Sequence, residues 1–460
     1  MVPKALGVAI IACWLALPAA AQRGPATGPL RVLKSNPRYF TDGSGKAIYL
    51  TGTHIWHNFQ DNGHRLPASE DPPPKFDYDA YLKFLVAHDH NFFRLWRWET
   101  PKWTDMQPRG MIHYAEPHPW VRSGPGKASD DKPKFDLTQF NPAYFDRMRA
   151  RVTAARDRGI YVSIMLFEGW ENLRTDAWTW HPFNIDNNVN GIDGDRLGYY
   201  TVQRTAMGRR VLELQEAYLR KVVDSVNDLD NVLYEVCNES GPHSIDWQYH
   251  VIDYVKKYEA SKPKQHPVGM TVLLPGTNAT LWASPADWVS PNPGGPEESF
   301  RDNPTSKYMG KVIVNDTDHL WGHTGGDAVW VWKSFTRGHN VLFMEEMLAS
   351  PTWQDSAREA MGQTLMFARQ INLAEMVPED NLTPTGFCLA KRGSEYLVFQ
   401  PGSRGEFTLN LSDAPGRFSV EWFNVTTGRT MAAEAVEGGA TRVFTTPFGG
   451  PAALYLKALP

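Results

Sequence analysis

Residues 231–239 read NVLYEVCNE, a short run rich in β-branched and aromatic residues that ends in a polar Asn-Glu pair. Before it, apolar side chains recur every three or four positions from Val211 to Leu229, which predicts an amphipathic helix. A helix that leads directly into a buried strand is the unit of a parallel sheet, because parallel strands need a crossover connection. The same succession recurs in both directions along the chain.

Eight such β-rich runs can be read from the sequence, most of them followed by a helical pattern. They are AIYLTGT (47–53), NFFRLWRW (91–98), YVSIMLF (161–167), NVLYEVCN (231–238), VGMTVLL (268–274), DWVSPNP (287–293), KVIVND (311–316) and NVLFMEE (340–346). Eight βα units predict an α/β fold of the (β/α)8 TIM barrel type, with short helices after the fifth and sixth strands.

The pattern changes on either side of these units. Residues 31–50 hold two extended runs around the turn sequence TDGSG, which predicts a β-hairpin ahead of the barrel. After Thr383, short alternating runs are separated by Gly, Pro, Ser and Asn, which predicts a small antiparallel β-sandwich. We expect a barrel with its hairpin at residues 30–378 and the sandwich at 383–460.

The first residues, MVPKALGVAIIACWLALPAAAQ, have the form of a secretory signal peptide, with one Lys, an apolar run and small residues before the cleavage point. We expect residues 1–21 to be removed and the rest, with no membrane span, to be secreted or periplasmic. The 460-residue chain has a formal charge of −4, which argues against nucleic acid as a partner. We expect a monomer.

Carboxylates stand where barrel enzymes place their chemistry, at the carboxyl ends of strands. Glu239 follows the fourth strand, and Asp316 and Asp318 follow the seventh. Cleavage of a glycosidic bond needs two carboxyl groups, one protonated to serve the leaving oxygen and one ionised. Glu239 with Asp316 or Asp318 is the predicted catalytic pair; the rivals for the second role are Glu345 and Glu346 after the eighth strand and Glu168 after the third.

Four segments carry a family resemblance: TGTHIWHNFQD, FFRLWRWE, YEVCNES and NDTDHLWG. They resemble the clan of (β/α)8 glycoside hydrolases with Asn-Glu at the end of strand four. The closest resemblance is to bacterial glycoside hydrolases whose barrel precedes a module named as a collagen-binding domain, which EWFNVTTGR and TTPFGGPAALYL resemble. The resemblance implies Glu239 as acid/base, Asn238 as a ligand of a sugar hydroxyl and Arg94 as an orienter of the catalytic carboxylate.

One position departs from the clan. The clan places Glu at the end of strand seven, where this chain has only Asp316 and Asp318. Because Asp is one methylene shorter, the separation of the two carboxylates could lie in the retaining range of ~5 Å or approach the inverting range of ~6.5–9.5 Å. We expect retention, with inversion open.

Aromatic residues are a second indication, since 17 Trp are more than a core readily satisfies. An indole face covers the C–H face of a sugar, while polar groups take its hydroxyls. The predicted substrate-binding residues at or after strand ends, besides Asn238 and Arg94, are His54, Trp56, Trp96, Trp170, His181, His319, Trp321 and Glu345.

Two other functions stay open. Asp316, Asp318, His319 and His323 could hold the metal of a metal-dependent hydrolase. A non-catalytic glycan-binding or adhesion protein could use the same aromatic cleft without hydrolysis. The preferred prediction is a glycoside hydrolase for a poly- or oligosaccharide that needs no cofactor.

Overall fold

The computed structural model describes residues 24–62, 71–104, 111–194, 202–204, 208–296, 298–322, 325–345, 354–403 and 405–460. The predicted signal peptide, residues 1–21, lies outside these ranges, as do His323 and Glu346.

Eight parallel strands form the predicted barrel. They are β1 (Thr51–His54), β2 (Phe92–Leu95), β3 (Tyr161–Glu168), β4 (Val232–Asn238), β5 (Val268–Thr271), β6 (Trp288–Ser290), β7 (Val312–Asp316) and β8 (Asn340–Met344). The sheet runs in chain order from β2 to β8 and then to β1. The Asn91 amide donates to the Thr51 carbonyl at 2.9 Å and joins β2 to β1. The (β/α)8 prediction is confirmed.

The register of the strands brings their polar ends to one level. Glu168 pairs with Asn238 across β3 and β4, and Asp316 pairs with Leu342 across β7 and β8. Every residue of β3 and β4 is buried, because helices cover the outside of the barrel and side chains fill its interior. Polar residues at the strand ends therefore face a common mouth.

Helices surround the barrel. They are α1 (Tyr78–Ala87), α2 (Pro142–Arg156), α3 (Trp170–Arg174), α4 (Arg209–Val226), α5 (Ile245–Glu259), α6 (Ala279–Ala283), α7 (Thr317–Trp321), α8 (Ala328–Thr336) and α9 (Asp355–Gln370). Asn141 caps α2 through the amide of Ala143, and Pro142 begins the helix, where a missing N–H costs nothing. Among the described residues, no helix combines the length and apolar character that crossing a membrane requires.

Two connections differ from a regular βα unit. Between β2 and α2 the chain forms short antiparallel strands at Lys102–Thr104, Ile112–Glu116, Trp120–Lys127 and Pro133–Phe140, an insertion that the sequence analysis did not anticipate. After β5 the helix α6 has five residues, and after β6 a small hairpin pairs Gly294–Gly295 with Glu298–Ser299. The short helix expected after β5 is present, whereas the one expected after β6 is replaced, among the described residues, by this hairpin.

The C-terminal part is an antiparallel β-sandwich, as predicted. One sheet contains Val377–Pro378, Cys388–Lys391, Glu395–Gln400, Arg417–Asn424, Arg429–Glu437 and Ala452–Ala458, and the second contains Glu406–Asn410 and Thr441–Thr445. Phe407 and Phe444 of the small sheet share a buried core with Trp422 of the large one. The large sheet also packs on the barrel, where Trp332 of α8 stacks on Phe399 with ring centres 5.7 Å apart.

Candidate active site

Three polar side chains meet at the carboxyl ends of β4 and β7. Glu239, Asp318 and His319 each place a ligand atom within 4.8 Å of the others. Glu239 follows the last residue of β4 and has a left-handed φ of 46°, a conformation that non-glycine residues adopt rarely and mostly at functional turns. Asp318 lies in the first turn of α7. The backbone at both positions directs the acids to one mouth.

Arg94 of β2 is the electrostatic centre of this mouth. Its guanidinium donates to Glu235 through Nε and Nη2, at 2.7 and 2.5 Å, and to Asp316 through Nη1 at 2.9 Å. Nη1 also reaches Asp318 at 3.4 Å. The nearby carboxylates outweigh the burial of Arg94 and raise its pKa. The five N–H donors of the planar guanidinium hold three carboxylates and the Asn238 amide oxygen at once, whereas a lysine has three donors.

Asp316 is held entirely by protein groups. Its Oδ1 contacts His54 Nε2 at 3.0 Å and accepts the amide of Asp318 at 3.0 Å, which caps α7, while its Oδ2 faces Arg94. The His54 ring stacks on Trp96 with a centre distance of 5.6 Å. Burial alone would raise the pKa of Asp316, but His54 and Arg94 hold it below its usual range. Asp316 is therefore an ionised, fully buried support.

Asp318 and Glu239 are ionised differently. The Asp318 side chain keeps 7% of its surface exposed, whereas Asp316 keeps none. Burial and the charge of Asp316 raise the pKa of Asp318 to about 6. Burial and then Asp318 raise the pKa of Glu239 well above its usual range. Two acids whose environments separate their pKa values can act as an acid and base pair. As pH rises, Asp318 loses its proton before Glu239 does, so Asp318 is the base and Glu239 the acid.

Asn238 and His319 are oriented by the same network. The Asn238 carbonyl oxygen accepts from Arg94 Nη2 at 2.7 Å, so the amide nitrogen must face the other way, toward Glu168 Oε1 at 2.9 Å. His319 Nε2 lies 3.2 Å from the same Asn238 oxygen and therefore carries the proton. His319 Nδ1 accepts from Ser290 Oγ at 2.6 Å. Burial lowers the pKa of His319 to about 3, which keeps the ring neutral.

Aromatic rings line the side of the mouth formed by β1 to β3. Trp56 and Trp170 are half-buried, with ring centres 6.0 Å apart. Trp96 and Trp98 lie beneath them and are at most 2% exposed. On the opposite side, Trp321 of α7 is 37% exposed and packs edge-on against Trp330. Two half-buried indoles and one exposed indole thus border the mouth, whereas Trp96 supports His54 from below.

Two predicted site residues lie apart from this group. Glu345 is buried and accepts two hydrogen bonds from Arg358 of α9, at 2.9 and 2.5 Å. His181 donates from Nε2 to Glu99 at 3.1 Å and stacks on Trp178, with no exposed surface. Both side chains are engaged in buried contacts with the protein.

A further group of buried carboxylates adjoins the mouth. The Glu168 amide donates to Glu99 at 2.8 Å, and the Glu171 amide donates to Glu168 at 2.5 Å. Burial raises the pKa of Glu168 to about 8, and burial with the charge of Glu168 raises that of Glu171 well above its usual value. Sequence reasoning passed over Glu99 and Glu171. Their position just after β2 and β3 was the available signal.

The sequence and the fold were compared with known proteins. Residues 110–279 match the family model described as a domain of unknown function, DUF6298. No curated protein sequence matches the chain. A crystal structure of a glycoside hydrolase family 5 protein from Bacteroides vulgatus is 14% identical, with 95% of each chain covered and a TM-score of 0.60. A candidate glycoside hydrolase from the same species is 15% identical over 94% of this chain and 82% of that chain, with a TM-score of 0.62. These similarities establish a shared fold.

Proposed function

We propose that this chain is a glycoside hydrolase that cleaves O-glycosidic bonds of a poly- or oligosaccharide by a two-carboxylate mechanism. The observation that carries the proposal is the approach of the Glu239 and Asp318 carboxylates to within 4.8 Å at the carboxyl ends of β4 and β7. One oxygen of each acid lies within 4.8 Å of the other, which is closer than the ~6.5–9.5 Å that separates the acids of inverting enzymes and therefore favours retention.

Each carboxyl group has one role in each step. Asp318, as the carboxylate, attacks the anomeric carbon while the bond to the leaving oxygen breaks and Glu239 gives that oxygen its proton. The sugar is then held as an ester of Asp318. In the second step Glu239, now ionised, takes a proton from water, whose oxygen attacks the anomeric carbon and releases Asp318.

Asp318 suits the nucleophile role better than Asp316. Both oxygens of Asp316 are occupied by His54, Arg94 and the amide of Asp318. Asp318 keeps some exposed surface, and among the described residues its carboxylate accepts one hydrogen bond, the long 3.4 Å contact from Arg94, with His319 Nε2 3.9 Å away. The choice that the sequence left open between the two aspartates therefore falls on Asp318, with Asp316 as the group that fixes α7 and Arg94.

The substrate-contacting groups follow from exposure. We assign the sugar faces to Trp56 and Trp170 on one side and to Trp321 on the other, because these indoles retain accessible surface. Asn238 is only 1% exposed, so we propose it as a ligand of a sugar hydroxyl on its orientation instead: Arg94 and Glu168 fix its amide, and one N–H of the amide nitrogen is not used by Glu168. Two solved structures named as glycoside hydrolases share the fold of this chain at 14–15% identity, and this fold is compatible with the proposed reaction.

Glu239→Gln and Asp318→Asn test the assignment on two aryl glycosides that differ in the pKa of the leaving phenol. Asp318→Asn should lose at least ~10³-fold in kcat with both substrates, because the nucleophile is needed for each. Glu239→Gln should lose ~10²–10⁴-fold with the poor leaving group and retain more glycosylation activity with the good one, since a stable phenolate needs no proton. Glu259→Gln is a matched control, because Glu259 is also a buried glutamate, 1% exposed against 7% for Glu239, but is hydrogen-bonded to His266 at the amino-terminal end of β5. If Glu239→Gln retains activity within tenfold on the poor leaving group, the assignment is wrong.

A metal-dependent hydrolase is the second candidate, because Glu239, Asp318 and His319 also have the separation of metal ligands. The hydrogen bonds of His319 oppose it: Nε2 carries a proton toward Asn238, and the lone pair of Nδ1 is taken by Ser290. Metal analysis of the purified protein, with kcat measured before and after chelation, separates the two. Stoichiometric metal and loss of activity on chelation would favour the metal.

We further propose that the chain is exported after removal of residues 1–21 and that residues 383–460 form a module that braces the barrel. The stacking of Trp332 on Phe399 supports the bracing role.

Mass analysis of protein from the periplasm and the medium tests cleavage before Gln22. Non-catalytic glycan binding becomes the better description if oligosaccharides bind and none is cleaved.

A further inference from the structure

A second concave site lies on the catalytic face, between the connections that follow β5 and β6. Its cavity measures about 400 Å³, within the ~300–1,000 Å³ of small-ligand sites. Trp282 and Glu298 are the large side chains that line it, and Gly276, Gly294 and Gly295 contribute bare backbone. None of these residues belongs to the acid centre described above.

The loops that form the cavity are hydrogen-bonded, close to where they begin, to residues next to the catalytic acids. The Leu274 amide donates to the carbonyl of Ser240, the residue after Glu239, and Gly276 follows two positions later. Ser290 bonds to His319, and Asn292 follows two positions later. Two residues of chain span at most ~7 Å. Gly276 and Asn292, where the two walls of the cavity begin, therefore lie within about that distance of Leu274 and Ser290, which bond to the residues around the catalytic acids.

The walls are fixed before any ligand arrives. Asn292 donates from its backbone to Asn278 Oδ1 at 2.9 Å and from its side chain to the Gly276 carbonyl at 2.8 Å. Its side-chain oxygen accepts the Gly294 amide at 3.0 Å. Gly294 has a φ of 78°, and a Cβ there would lie 1.7 Å from the Glu298 carbonyl oxygen. The hairpin therefore requires glycine at this point, and a preformed site loses less entropy on binding.

The two side chains present complementary chemistry. The Trp282 ring is half-buried and is backed by Phe300, with ring centres 5.9 Å apart. The Glu298 side chain is half-buried, and burial raises its pKa. Glu298 Oε1 is enclosed and finds no hydrogen-bond partner among the residues that the structure describes. An apolar aromatic face beside a half-buried carboxylate suits a ligand that has both C–H faces and hydroxyls.

We propose that Trp282 and Glu298 form a distal subsite for a sugar unit of the chain whose bond is cleaved at Glu239 and Asp318. A hydroxyl of that unit donates to Glu298 while its C–H face lies on Trp282. The charge of Lys307 offsets that of Glu298, so a neutral unit fits better than a cationic one. This inference rests on the proposed function and extends it, because it makes the substrate an oligo- or polysaccharide that reaches across β5 and β6.

The test compares Trp282→Ala and Glu298→Gln with the wild type on an aryl monosaccharide glycoside and on oligosaccharides of three to six units. We expect the ratio of kcat/KM for the oligosaccharide to kcat/KM for the aryl glycoside to fall ~10-fold or more for Trp282→Ala. Glu298→Gln should reduce the ratio ~5-fold, because an amide oxygen accepts a weaker hydrogen bond. Tyr308→Ala, which removes an aromatic ring that is 40% exposed just before β7, is the control and should leave the ratio unchanged.

Failure of this inference can be told from failure of the proposed function. Unchanged ratios in both variants, with normal hydrolysis, would overturn the subsite and leave the hydrolase. If no glycan is cleaved, calorimetric titration of Glu239→Gln with cello-, xylo- and manno-oligosaccharides of two to six units replaces kinetics. Weaker binding on adding Trp282→Ala would support the subsite as a binding site; no binding of any of these chains, or binding that Trp282→Ala leaves unaltered, would overturn it.

Discussion

Asp316 and Asp318 should respond in opposite ways to the same substitution. Asp318→Asn removes a carboxylate whose pKa burial and Asp316 have raised from 3.8 to about 6. Asp316→Asn removes one whose pKa, despite burial, His54 and Arg94 have lowered. The first variant should be more stable than the wild type at neutral pH and inactive, and the second should be less stable.

The expected size follows from the pKa values. A rise from 3.8 to about 6 means that ionised Asp318 costs about 3 kcal/mol of folding free energy. Since the folded pKa is the higher one, this cost is absent below pH ~4, grows between pH ~4 and 6 and is complete above. Asp318→Asn should thus gain about 1–3 kcal/mol at pH 7.5 and little near pH 4.

Asp316→Asn has the reverse sign. Its carboxylate is fully buried, and neutralising it leaves Arg94 and His54 with one partner fewer, for which losses of about 3–5 kcal/mol are usual. Because the folded pKa is the lower one, the stabilisation is present above the unfolded pKa and is lost as pH falls through the folded value. The difference in free energy of unfolding between the wild type and Asp316→Asn should therefore become smaller at low pH.

Urea unfolding at pH 7.5, 4.5 and 3, with kcat on an aryl glycoside, measures both effects, because the pKa of Asp316 lies below 3.8 and its effect changes only under that pH. The assignment predicts a stabilised variant with kcat reduced at least ~10³-fold for Asp318→Asn, the pattern of a residue kept for function at the expense of stability. The reasoning is refuted if Asp318→Asn destabilises the fold at pH 7.5 by more than ~1 kcal/mol, or if it keeps kcat within tenfold.

Three more outcomes follow from the site. The kcat/KM should rise as pH passes about 6, where Asp318 ionises, and fall at higher pH as Glu239 loses its proton; a pH profile with its maximum below pH 4 would contradict this ionisation order. Glu168→Gln should keep kcat/KM within ~5-fold at pH 6, because Glu168, with a pKa of about 8, is already uncharged there, whereas a loss of ~10³-fold in steady-state assays would make it the second catalytic carboxylate. Glu345→Gln should lower the free energy of unfolding by ~3–5 kcal/mol, since it removes the buried negative charge that pairs with Arg358, and should leave kcat of the folded protein unchanged; a large fall in kcat would return Glu345 to the site.

Several features of this chain could be read from its sequence. The alternation of buried strands and amphipathic helices predicts the barrel, because a parallel sheet covered on both faces leaves a periodicity in the chain itself. The strand ends then locate Glu239, Asp316 and Asp318, since parallel strands deliver their carboxyl ends to one face. The place of a residue at the end of a strand depends on the residues next to it in the chain, so the local sequence is enough to predict it.

What separates Asp316 from Asp318 is not local. Both stand at the carboxyl end of β7 and point to the same mouth. Only the packing of β1, β2 and β7 gives Asp316 its His54 and Arg94 partners, while Asp318 faces Glu239. The same applies to Glu345, which stands at a strand end like a site residue but lies against Arg358 of α9. The burial of these carboxylates, their pKa values and the residues to which they bond all depend on side chains distant in the chain. The tertiary structure alone therefore decides them.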